Sequence, residues 1–151
     1  MKPVASAIVA LAVVGAYAAV VHAQTPADRS IKYRQGVMSA QGWHLGVLAS
    51  MAKGDRPYDR DAAARSATFL DQLVAMPWDG YGPNTESGSV NTRAKAEIWK
   101  DWAKFEKYGK EVKAETAKLV SAAGTDLNAL KGAVGATGKQ CNGCHDDFRT
   151  K

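Results

Sequence analysis

Cysteine is scarce in this sequence, with two in 151 residues, so the chain cannot rest on a framework of several disulfides. Histidine is nearly as rare, at three, which limits the metal sites that side chains could build. No segment alternates polar and apolar residues over a strand's length, so none reads as a β-strand. Clustered basic charge is missing too. Lysine and arginine outnumber aspartate and glutamate by 20 to 15, but they are spread along helical patterns. That spread leaves no nucleic-acid footprint, and the mild excess favours an acidic docking partner.

The N-terminus has its own character. Lys2 supplies a positive start, and Val4 to Val21 is apolar or small apart from Ser6 and Tyr17. Val21-His22-Ala23 then offers a small-x-small cleavage pattern ahead of Gln24. Residues 1–23 therefore read as a secretory signal peptide. The competing reading is an uncleaved anchor, but the run lies at the short end of the roughly 17–25 residues that span a bilayer. The expected product, residues 24–151, has the size of one domain with one core. Losing Lys2 lowers the formal charge from +5 to +4.

Within that product four segments read as helices. The first runs from about Pro26 to Lys53, with Thr25 as N-cap, Asp28 in the first turn and Gly54 as the stop. Ile31, Met38, Gln41, Leu45 and Leu48 recur on one of its faces. The second spans roughly Asp59 to Met76, with Ala63, Ser66, Phe69, Leu70, Leu73 and Val74 as its buried stripe. Pro77 to Asn91 is rich in glycine and proline and reads as a connection. The third helix is expected from Thr92 to about Ala122, burying Ile98, Trp102, Phe105, Val112 and Leu119. The fourth starts at Thr125 or Asp126 and ends with the cysteines. The fold class that follows is all-α, an antiparallel up-down-up-down four-helix bundle.

Cys141-Asn142-Gly143-Cys144-His145 is the motif that carries chemistry. Two thiols at i and i+3 share a helical face, where they reach the two vinyl groups of a haem. The adjacent imidazole then swings beneath the porphyrin as an iron ligand. A thioredoxin-like pair should follow a strand, and this one closes a helical chain. A zinc site would need Cys141, Cys144, His145 and the distant His44 together, and a plain disulfide leaves His145 without a role. Before the motif, Gly132, Gly135 and Gly138 interleave with Ala133 and Ala136. They suit either close approach to a flat macrocycle or close helix packing.

An exported helical bundle with C-x-x-C-H near its C-terminus resembles the cytochrome c-prime family, the class II cytochromes c. Tyr33-Arg34-Gln35, Met76-Pro77-Trp78 with Gly80-Tyr81-Gly82-Pro83, Glu97-Ile98-Trp99, and Cys141 through Arg149 carry the likeness. The resemblance implies one covalent haem c, thioethers at Cys141 and Cys144, and His145 as proximal ligand. It places Arg34 and Gln35 beside the haem and its propionates, and Arg149 on the proximal side. Thr92 and Trp78 fall where the family approaches the haem edge, although helix capping and core packing explain them equally well.

Met38 departs from the pattern, because many five-coordinate members carry an apolar residue, often leucine, at that position. A methionine thioether binds iron, so the expectation is Met38–Fe–His145 ligation in the low-spin subgroup; plain packing is the alternative. Met51 and Met76 sit at helix ends, and His44 lies about 240° around the helix from Met38, on the surface. The expected function is a periplasmic one-electron carrier in a Gram-negative bacterium, serving redox proteins as a monomer or homodimer. It would have no membrane attachment once the signal is removed. The alternative is a five-coordinate protein binding nitric oxide or another small gas. Enzymatic chemistry ranks last, since no distal acid–base residue stands near Met38.

Overall fold

A computed structural model describes residues 24–151, so the signal-peptide reading of residues 1–23 lies outside the described residues. Helix α1 runs Pro26–Lys53, and the signals read from its sequence are those that bound it. The Thr25 hydroxyl accepts from the Asp28 N–H, and the Asp28 carboxylate accepts from the Thr25 N–H, closing a capping box. Gly54 ends the helix at φ 85°, in the left-handed region that favours glycine.

Helix α2 covers Arg60–Leu73, capped by the Asp59 side chain on the Ala62 N–H. Ala63, Ser66, Ala67, Leu70 and Val74 face the core. Phe69, expected among them, is half exposed and lies against His44 with ring centroids 5.2 Å apart. His44 is therefore half-buried under an aromatic ring rather than a surface residue.

The third expected helix is broken. Residues 92–96 lie outside helix, α3 is a single turn at Glu97–Lys100, and α4 then runs Trp102–Ala123. Asp101 makes the break: at φ −125° and ψ 62° it leaves the helical region, and its carboxylate caps the Lys104 N–H. Trp102 consequently turns outward to 43% exposure instead of joining the buried face. Helix α5, Leu127–Phe148, starts at the Asp126 cap and holds the whole cysteine–histidine motif inside its last turns.

Contacts run α1 to α2, α2 to α4, α4 to α5 and α5 back to α1, so these four long helices close a bundle. The only β-pairing among the described residues is one antiparallel bridge, Ala94 to Arg149. Two apolar clusters form the core. One gathers Leu48, Met51, Leu70, Leu119 and Leu130; the other gathers Tyr81, Ile98, Phe105 and Phe148.

Candidate haem site

Between those clusters lies a cavity of about 490 Å³, walled by Leu45 and Leu70 from one and Tyr81, Ile98, Phe105 and Phe148 from the other. That volume falls within the usual range for a cofactor or small-molecule site. All nine residues singled out in the sequence border it. Arg34, Gln35 and Met38 come from α1, Trp78 from the 3-10 turn Pro77–Tyr81, and Thr92 from the following loop. Cys141, Cys144 and His145 come from α5, and Arg149 from just past its end.

Helix α5 sets the donor geometry. Cys141 and Cys144 are unbridged thiols, both half-buried on the cavity side. Burial pushes the Cys141 thiol up, and pushes Cys144 up to about 11 with smaller contributions from Cys141 and Asp147. His145 is shifted down, first by burial and then by the guanidinium groups of Arg149 and Arg93. A neutral imidazole is the form that binds a metal ion. His44, the fourth donor that a zinc site would need, is not in the cavity wall.

Arg34 is buried at 2% exposure, and its Nη1 donates to the carbonyls of Gly80 and Thr85, both at 2.8 Å. Its Nη2 reaches the Thr92 hydroxyl at 3.3 Å, and the guanidinium lies 4.7 Å from the centre of the Tyr81 ring. Among the described residues no carboxylate pairs with it, and none lines the cavity. Burial lowers the Arg34 pKa, and Tyr81 and Glu86 oppose that shift from a distance without a direct ion pair, so this wall leaves room for a ligand that brings a further negative group. Gln35 donates to the Asn91 carbonyl at 2.7 Å. Thr92 begins no helix: its hydroxyl accepts from Arg34 and from the Ala94 N–H. Trp78 is tied by its indole N–H to the Val74 carbonyl at 2.8 Å.

The donor set therefore fits a haem. Two thiols and an imidazole sit on one wall, a thioether on another, and a buried guanidinium borders the same space. Gly132, Gly135 and Gly138 serve neither role assigned to them. A Cβ on any of them would meet nothing within 4 Å, and none lines the cavity. Sequence reasoning missed Arg93, a cavity-wall residue whose chain neighbour Thr92 was its only signal. It also missed Ile98, Phe105 and Phe148 as walls, because their apolar spacing marks core and cavity lining alike.

A family model described as Cytochrome C′ matches residues 29–149. The chain is 41% identical to a cytochrome c′ of Halomonas halodenitrificans over 129 residues, covering 82% of this chain and 98% of that one. The crystal structure of cytochrome c′ from Rubrivivax gelatinosus superposes with a TM-score of 0.78 at 38% identity, covering 84% and 98% of the two chains. A nitric oxide complex of a point variant of cytochrome c prime from Alcaligenes xylosoxidans gives a TM-score of 0.76 at 35% identity, covering 83% and 96%.

Proposed function

This chain belongs to the cytochrome c′ family and carries one covalently bound haem c, and we propose that it is a one-electron carrier whose iron is held between His145 and Met38. The observation that carries the ligation is the composition of the cavity wall. Apart from Cys141, Cys144 and His145 on α5, Met38 is the only lining residue with a sulfur or imidazole donor. It stands on α1, which packs against α5.

In this reading the Cys141 and Cys144 thiols form the thioethers and the neutral His145 imidazole takes the proximal position. Arg34 and Gln35 face the propionates, and Arg149 lies on the proximal side. Haem supplies one-electron chemistry at its iron, and His/Met ligation raises its potential. The protein contributes burial, ligands and a docking surface. The periplasm is the proposed location, in keeping with a signal sequence at residues 1–23. An enzymatic role is not proposed: peroxidase-type chemistry calls for a distal acid–base group, and the wall offers no Asp, Glu or second His.

A second reading has its own support, because a solved relative from Alcaligenes xylosoxidans is a nitric oxide complex. There Met38 would only pack, leaving the iron five-coordinate for a small gas. The absorption spectrum separates the two. The oxidised protein should be low-spin with a methionine-to-iron charge-transfer band, and Met38→Ala should convert it to a high-spin form. A parent protein that is already high-spin and takes up nitric oxide readily would establish the second reading instead.

A further inference from the structure

A second cavity, of about 470 Å³, lies between the end of α2 and the first half of α4. One side chain, Trp78, lines both this space and the haem cavity. Its indole is held firmly. The ring N–H donates to the Val74 carbonyl at 2.8 Å, and Gly109 lets the α4 backbone lie directly against the ring.

Trp102, turned outward by the break at Asp101, brings a second indole to the same wall. Two indoles with Val74 and Ala75 suit a flat apolar ring, and aromatic faces attract such rings beyond the area they bury. The charges here cancel. Lys110 pairs with Glu106 at 3.1 Å, and Lys113 pairs with Asp71 at 2.6 Å. That balance selects a neutral occupant over an ion. The ammonium groups still have donors to offer and the Glu106 carboxylate has acceptor positions. The matching ligand is a neutral planar ring whose edge carries oxygens that both accept and donate.

We propose that this cavity binds a hydroquinone and that Trp78 conducts its electron to the haem. The inference rests on the carrier reading and adds the class of electron donor and its entry point. The hydroquinone gives one electron to the ferric iron and one proton to solvent, which leaves a neutral radical and ferrous protein. Two such radicals disproportionate to one quinone and one hydroquinone. Each quinone formed thus reduces two ferric proteins and releases two protons.

Menadiol tests this anaerobically on the holoprotein, with ascorbate, an anionic reductant, as comparison. The rate of ferric reduction should saturate with menadiol and rise linearly with ascorbate. Ala75→Trp fills the cavity from an exposed position. It should abolish the saturation, slow the menadiol reaction several-fold and leave the ascorbate rate unchanged. Trp102→Ala should raise the half-saturating menadiol concentration several-fold. Binding is read separately in the ferrous protein, where no electron moves. There menadiol should shift the indole N–H resonances of Trp78 and Trp102 but not that of Trp43, which is 72% exposed elsewhere on α1.

A menadiol rate that is linear in the parent, or reduction by ascorbate alone, would overturn the inference and leave the carrier reading intact. So would variants that keep the parent kinetics. An ascorbate reaction slowed as much as the menadiol one would place the effect at the haem, and a Trp43 shift as large as the others would mean stacking on any exposed indole. Either result overturns the inference. No reduction by either reagent would overturn the carrier reading together with it.

Discussion

At the scale of single residues, Gly109 and Asp28 show how little room the site leaves. A Cβ at Gly109 would stand 2.8 Å from Cζ2 of Trp78, whose indole is pinned by Val74 and by an edge-to-face contact with Phe105 at 5.1 Å. Gly109→Ala should therefore push Trp78 towards the cavity and cost about 1–3 kcal/mol, as overpacking does. Urea unfolding should show the loss and the haem spectrum should shift. Gly135→Ala, with open space around it, should instead gain up to about 1 kcal/mol from helix propensity. Asp28 accepts from Thr25, Ser89 and the Val90 N–H, joining the α1 cap to the loop. Led by the Thr25 hydroxyl and then Val90, these bonds hold its carboxyl down to about 2, from an ordinary 3.8. The folded value is the lower one, so this stabilisation is complete above about pH 4 and fades as pH falls towards 2. Thermal midpoints across that window should fall less steeply for Asp28→Asn than for the parent.

At the scale of elements, caps decided what could be read in advance. Helix α1 was legible to its ends because Thr25, Pro26, Asp28 and Gly54 are strong local signals. The stretch from Thr92 to Asp101 was not, because its conformation is set by partners far along the chain. Ala94 pairs with Arg149, and Thr92 serves Arg34. Helical spacing through Ile98 and Phe105 hid a break that one aspartate makes. Asp101→Ala should remove the α4 cap at a cost of about 1 kcal/mol, seen as a lower urea midpoint with an unchanged haem spectrum. The cysteine–histidine motif was legible because its spacing is its chemistry, whereas Arg93 entered the site only through the pairing of residues 93–95 with the end of α5.

At the scale of the whole molecule, the helices pair locally and the cavity closes non-locally. Helices α1 and α2 are joined by residues 54–59, and α4 and α5 by residues 124–126, so each pair can form from neighbouring chain. The guanidinium of Arg34 instead gathers acceptors 46, 51 and 58 residues away, at Gly80, Thr85 and Thr92. Closing such long loops has an entropic cost that local helix pairs avoid. The loop should therefore dock last in folding and release first under native conditions, as a cooperative unit smaller than the protein. Amide hydrogens from residues 80 to 95 should exchange sooner than those of α4 and α5, and Arg34→Lys, which loses the fork of donors, should speed that exchange selectively. One buried side chain thus sets how often the haem chamber opens, independently of how stable the bundle around it is.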